Sequence, residues 1–225
     1  GRYALLHTAR FNSTGHSGAY ILAEQTNAER RVHLAGYTKK QASDAFTYHI
    51  LAAAVLGEVA QGQRAGFGFD ARATYKFKGT QNPQVTFGLA AGTSGFQQSG
   101  LHSNKTYAGG QTQVHRYGYV FQPELTNLAV ASVGLGLRPS RQFSVDLNAH
   151  AYAQVSTSTL APNARVTGST NGTSRFVGAE ISLVGAWRPS KKTKVEFGLG
   201  GFKPGPAYTQ RGSAKRVYAR FSMYF

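Results

Sequence analysis

The last twelve residues, Ala214–Phe225, alternate with a strict period of two. Val217, Ala219, Phe221, Met223 and Phe225 fall on one face, and Arg216, Tyr218, Arg220, Ser222 and Tyr224 on the other. A period of two marks a β-strand with two unlike faces. A soluble sheet would turn its apolar face to a core and its charges to water. A strand that ends on an aromatic and carries arginines on its polar side fits the reverse arrangement. Its apolar face then meets lipid, and its basic face lines a wet lumen. Hydrocarbon offers backbone groups no water, so a strand in lipid implies a closed, fully paired wall.

The alternation recurs along the chain. Phe143, Val145, Leu147, Ala149, Ala151, Ala153 and Val155 oppose Ser144, Asp146, Asn148, His150, Tyr152 and Gln154. Phe67, Phe69, Ala71, Ala73, Tyr75 and Phe77 are expected outward, opposite Asp70, Arg72, Thr74 and Lys76. Val177, Ala179, Ile181, Leu183 and Trp187 are likewise expected outward, opposite Glu180 and Ser182. Eleven strand-like segments follow, near 2–12, 18–26, 29–38, 45–56, 66–78, 83–92, 126–138, 141–156, 174–188, 193–203 and 214–225. The expected fold is all-β, a transmembrane antiparallel up-and-down barrel forming one unit over 1–225, with about 10–12 strands in this chain. No apolar run approaches the roughly 18 residues of a membrane helix; the longest, Ile50–Leu56, is far shorter.

Two kinds of connection orient the wall. Short turns carry Arg138-Pro139-Ser140-Arg141, Arg188-Pro189-Ser190-Lys191 and Lys78-Gly79-Thr80-Gln81-Asn82-Pro83, whereas long polar loops lie near 93–125 and 157–173. Outer-membrane barrels have short periplasmic turns and long extracellular loops, which puts the C-terminus on the periplasmic side and residue 1 outside. An odd count of eleven implies either a miscount by one or a portion of a larger barrel. The opening Gly-Arg-Tyr lies inside a strand, consistent with a removed leader or a longer polypeptide.

Lys and Arg number 25 against 9 acidic residues, a formal net charge of +16. Such a balance implies an anionic partner. The cations recur at alternate strand positions and in turns rather than in an arm or run, which favours a basic channel wall over a nucleic-acid groove. There are no cysteines, which removes disulfides and thiolate metal sites. The seven histidines show no ligand spacing. No metal or other cofactor is expected. Ser144 and His150 share a face but sit about 20 Å apart along one strand, too far to act as nucleophile and base. Catalysis is not expected.

Several stretches resemble the alginate-export outer-membrane channel family. They are Gly68-Phe69-Asp70-Ala71-Arg72-Ala73-Thr74-Tyr75-Lys76-Phe77, Asn82-Pro83-Gln84-Val85-Thr86-Phe87-Gly88-Leu89-Ala90, His115-Arg116-Tyr117-Gly118-Tyr119-Val120, Pro123-Glu124-Leu125-Thr126-Asn127-Leu128, Gly136-Leu137-Arg138-Pro139-Ser140 and Phe202-Lys203-Pro204-Gly205. The resemblance covers 66–225 closely and 1–65 loosely. It implies a portion of a barrel of about eighteen strands, whose arginine-rich lumen passes an acidic polysaccharide without turnover. The missing strands would come from elsewhere, such as a second polypeptide. The terminal Phe225 resembles the closing residue that the outer-membrane assembly machinery reads.

The expected substrate path is Arg10, Arg31, Arg72, Lys76, Arg116, Lys194, Arg216 and Arg220, with Asp70, Asp146, Glu180 and Glu196 as lumenal acids. Guanidinium groups meet carboxylates in a two-point fork, and several modest sites in series let a polyanion move. The competing expectation is that these cations only pair with the lumenal acids. The aromatics Phe67, Tyr75, Phe77, Trp187, Tyr218, Tyr224 and Phe225 are expected in interfacial girdles. Loop 93–125, with Lys105, His115 and Arg116, is expected as an extracellular lid or an inward-folded constriction. Expected partners are outer-membrane lipid and an anionic polysaccharide, with no nucleic acid. Three alternatives are a general anion porin, a structural barrel subunit completed by another chain, and a soluble basic sheet that binds nucleic acid.

Overall fold

The computed structural model describes every residue except 28, 60–61, 100–103, 108–112, 211 and 224–225. Eleven strands form one sheet: β1 (Arg2–Asn12), β2 (Gly15–Gln25), β3 (Arg30–Gln41), β4 (Phe46–Val59), β5 (Gly62–Lys76), β6 (Gln84–Gly92), β9 (Leu128–Leu137), β10 (Phe143–Gln154), β11 (Phe176–Ser190), β12 (Thr193–Pro204) and β13 (Ala214–Met223). Two short strands, β7 (Lys105–Tyr107) and β8 (Gln113–His115), pair with each other inside the connection from β6 to β9. Every neighbouring pair in the large sheet is antiparallel and in chain order. This is the up-and-down wall that the alternation implies. The sheet is not closed: among the described residues β1 and β13 are not paired with one another.

The short connections 13–14, 42–45, 77–83, 138–142 and 191–192 all emerge at one end. The long ones, 93–127, 155–175 and 205–213, emerge at the other. The alternation sets the two faces. Outward lie Ile50, Phe69, Leu89, Leu135, Leu147, Ile181, Leu199, Val217 and Phe221, all exposed, forming an apolar band around the wall. A protein in water does not leave so large a contiguous apolar surface uncovered. The inner face is the one on which the 93–127 connection packs.

Two local departures have plain causes. Val177 is fully buried rather than outward. Opposite it β10 and β11 slip register, Tyr152 facing Gly178 while Ala153 faces Phe176, so one extra residue bulges and Val177 turns inward. Tyr218 is not a girdle residue: it faces inward, its ring 5.6 Å from that of Tyr119. Tyr224 and Phe225 lie outside the described residues.

A charge in the apolar band tests which face meets lipid. Ile181→Arg is expected to destabilise the folded wall by about 2–4 kcal/mol, measured by urea unfolding in lipid vesicles. Asn148→Arg, on the opposite face, is expected to leave stability nearly unchanged.

Candidate functional site

The connection from β6 to β9 folds inward and lies as a strap across β10–β12. Its tightest anchor is Glu180 of β11, which is almost completely buried. The Glu180 carboxylate accepts the backbone N–H groups of Tyr119, Val120 (3.0 Å) and Phe121 (2.8 Å), and the Tyr152 hydroxyl (3.4 Å). Successive N–H groups converging on one carboxylate form an anion-binding nest, which lets the charge sit out of water. Tyr152 also donates to the carbonyl of Tyr117 at 3.0 Å. Gly118 makes this approach possible. Its φ is 112°, and a Cβ there would overlap the Tyr152 hydroxyl.

Apolar packing completes the anchor. The Phe121 ring stacks on Phe202 at 4.5 Å and meets Tyr152 edge-on at 4.8 Å. Val130, Val177, Val184, Leu125, Leu128 and Tyr208 extend the same core. The outer loops close over it. Arg165 and Phe121 pair through backbone at 2.9 Å, Glu124 and Asn163 at 2.8 Å, and Thr170 bridges to Tyr208. The inner face of β9–β12 is therefore dry towards the long-loop end, where the alternation by itself implies water.

A second anchor holds the strap from the other side. Arg72 on β5 donates from Nη2 to the Arg116 carbonyl at 2.6 Å and from Nε to Asp70 at 3.2 Å. Asp70 also receives the Tyr117 hydroxyl at 3.0 Å and lies 3.4 Å from the Arg116 guanidinium. Burial first, then the Asp70 charge, push the Tyr117 hydroxyl up, so it remains a donor. Arg216 on β13 donates to the Tyr119 carbonyl at 2.9 Å, its guanidinium 4.6 Å from that ring.

Beside the strap lies a cavity of about 390 Å³. Its lining includes Lys39, Arg72, Lys76 and Arg116, against one carboxylate, Asp146. That carboxylate is already paired with Arg138 at 2.6 Å. Thr47, Thr74, Thr86, Gln84 and Asn148 add hydroxyls and amides, and His16, His49, His115 and His150 add imidazoles. The wall can thus hold an anion by charge and a polyhydroxylated chain by hydrogen bonds. Among the described residues no cluster of side chains suited to a metal ion occurs.

The other residues singled out in the sequence are dispersed. Arg31 is tied to Glu24 at 3.5 Å and Glu29 at 3.3 Å, near the long-loop end. Lys194 is buried with its Nζ 2.8 Å from Glu196. Arg220 lies on the inner face, in register with Glu196. Arg10 corrects the expectation. The hairpin pairs it with Ser17, whereas the inner face of β1 carries Tyr3, Leu5, His7, Ala9 and Phe11. The more apolar parity of β1 faces inward and the parity with Arg2, Thr8, Arg10 and Asn12 faces outward, so parity misleads there. Tyr117, Gly118 and Tyr152 are the residues the sequence reasoning missed. The available signal was apolar residues at inner positions, Val130, Val184 and Phe202, which mark a surface something must cover.

An apolar outer band, strands in chain order, short turns opposite long loops and an inward-folded strap define the wall of an integral outer-membrane β-barrel. The sequence model of the alginate export family matches residues 4–222, and the chain belongs to that family. It is 26% identical over 143 residues to the alginate production protein AlgE of Pseudomonas aeruginosa, a match covering 54% of this chain and 29% of that protein. It is 38% identical over 61 residues to the AlgE of Azotobacter vinelandii, covering 27% of this chain and 13% of that protein. The chain therefore spans less than a third of the length of the curated relatives it matches. A solved structure titled as the NanC porin superposes with a TM-score of 0.44 at 7% identity, over 99% of this chain and 93% of that one.

Two measurements probe the strap. Glu180→Gln leaves a single acceptor oxygen and sets an amide donor against the nest, at a cost of about 1–3 kcal/mol for each backbone donor left unsatisfied. The expected result is faster protease cleavage within 93–127 while the sheet stays folded, seen as unchanged heat-modifiable gel mobility. The second is pH. Burial first, then Lys105 and Arg72, pull the His115 imidazole down from 6.5 to about 4. A released strap binds that proton more readily, so docking is at full strength above pH 6.5 and weakens as pH falls from 6.5 towards 4. Protection factors of the amides at Tyr117–Phe121, corrected for the intrinsic pH dependence of exchange, are expected to fall over that interval, and His115→Gln is expected to flatten the change.

Proposed function

We propose that this chain forms part of the wall of an outer-membrane channel that passes an acidic polysaccharide, alginate by family, by diffusion. The observation that carries the reading is the cavity beside the strap, lined by Lys39, Lys76, Arg72 and Arg116, where Asp70 is shared by the two arginines and the one lining carboxylate, Asp146, is paired with Arg138. Arg72, Lys76, Arg116 and Lys39 are the groups that meet the polymer's carboxylates. Arg216 and Glu180 hold the strap that narrows the path. Lys194 and Arg31, paired with acids, keep the wall in shape, and Arg220 extends the basic surface beside Glu196. The 1–225 stretch acts as one unit, and further strands along β1 and β13 complete the barrel, because an unpaired edge is not tolerated in lipid. Phe225 serves as the signal for the assembly machinery.

Cations in series favour anions and let them leave again, because no one site is tight. The test is conductance of the full-length protein in planar bilayers with an oligouronate added. At low salt the oligouronate is expected to block small-ion current. Raising salt from about 0.1 M to about 1 M shortens the Debye length from ~10 Å to ~3 Å and should relieve the block. The double charge reversal Lys39→Glu and Lys76→Glu is expected to weaken the block about tenfold or more and shift small-ion preference towards cations. A block that ignores both salt and charge reversal sinks the reading.

A further inference from the structure

On the inner face of β1–β3, near the short-turn end, the rings of His7, Phe11, His16 and Tyr37 lie together, and the path of cations does not account for them. Tyr37 sits opposite Gly18, which in turn sits opposite Ala9. These two small residues clear a floor on the wall. The Tyr37 ring lies across it, so that a Cβ on Gly18 would come within 2.6 Å of the hydroxyl oxygen and 2.7 Å of Cζ.

The Tyr37 hydroxyl meets His7 Nε2 at 3.0 Å, and the two ring planes differ by 6° with centroids 6.2 Å apart. Rings joined at their rims with nearly parallel planes turn their faces in the same direction. The backing of Gly18 leaves the other side of the Tyr37 ring towards the inner space. His16 stands edge-on at 5.9 Å from Tyr37, and Phe11 follows at 5.8 Å from His16. His16 also lines the cation-bearing cavity, and its register partner Lys39 lines it too.

We propose that this surface is a stacking platform for the apolar face of a pyranose ring, where the acidic polysaccharide of the preceding section first rests at the short-turn mouth. The proposal rests on that reading for the identity of the polymer. A sugar acid has two unlike parts, a carboxylate and a flat patch of C–H bonds. The platform supplies a π-face for the patch, and Lys39 beside it supplies charge for the carboxylate. A held ring loses little conformational freedom on binding, which is what a preformed saccharide site requires. The His7 hydrogen bond and the Gly18 floor provide that hold.

The test uses the full chain in detergent micelles, with β-1,4-linked hexamannuronate and the neutral β-1,4-mannohexaose as probes. Tyr37→Ala is expected to weaken hexamannuronate binding about three- to tenfold, the range of one aromatic face, with its salt dependence unchanged. Lys39→Ala is expected to reduce the salt dependence instead. Tyr37→Phe keeps the ring on its Gly18 floor but loses the His7 hydrogen bond, and is expected to bind between the parent and the alanine variant, which guards against a folding defect in the alanine variant. In a Trp187→Phe background, Tyr37→Trp holds the only tryptophan of the chain. Its emission is expected to shift to the blue on addition of either hexamer. Hexamannuronate binding that is salt-sensitive but indifferent to Tyr37→Ala overturns the platform and leaves the channel reading standing. Equal binding of both hexamers, each weakened by Tyr37→Ala, upholds the platform and overturns the anionic reading. Failure of the parent chain to bind either hexamer overturns the platform.

Discussion

A backbone amide in hydrocarbon has no water to bond, so each strand of this wall takes its partners from its neighbours. That one requirement shapes most of the molecule. It makes every strand antiparallel to the one before, in chain order. It lets the turns at one end shrink to two residues, as at 191–192. It also frees the side chains from any duty to the ladder, so one set faces lipid and the other faces inward. Among the described residues β1 and β13 leave the requirement unmet, so the sheet is a length of wall rather than a closed cylinder.

The strap obeys a different economy. Beyond the short β7–β8 pair its backbone is not in a ladder, so its amides need other partners, and Glu180, Tyr152, Arg72 and Arg216 provide them. Polar anchors set its position, while Phe121 against Phe202 and Tyr152 supplies the apolar burial that holds it there. The same arrangement removes part of the inner face from water and leaves the cation-lined cavity beside it.

Much of this was legible in the sequence. The period of two in Phe143–Val155 and in Gly66–Phe77 gave the strands and their faces, and the turn residues at Arg138-Pro139 and Arg188-Pro189 gave the short end. What stayed hidden depends on contacts that spacing does not encode. Glu180 looks like any lumenal acid, because its partners are backbone N–H groups of a distant segment. Val177 is displaced by a bulge that leaves no composition signal. Arg10 sits in a strand whose more apolar parity faces inward, so alternation points the wrong way and the hairpin register decides its face. Asp146 and Lys194 count as charges in a tally, yet each already faces an opposite charge on its own stretch of wall.

The strap's anchors are also unevenly spread along the chain. Asp70 and Arg72 precede it, but Tyr152 follows its contact residue by 35 positions, Glu180 follows Phe121 by 59 and Arg216 follows Tyr119 by 97. A polypeptide synthesised from its N-terminus therefore acquires one side of the clasp well before the other. Until β11 is present the nest has no carboxylate, and until β13 is present Tyr119 lacks its guanidinium. The full set of anchors is thus complete only when the last strand is in place, and a wall that lacks β11–β13 would hold the strap by Asp70, Arg72 and Tyr152 alone.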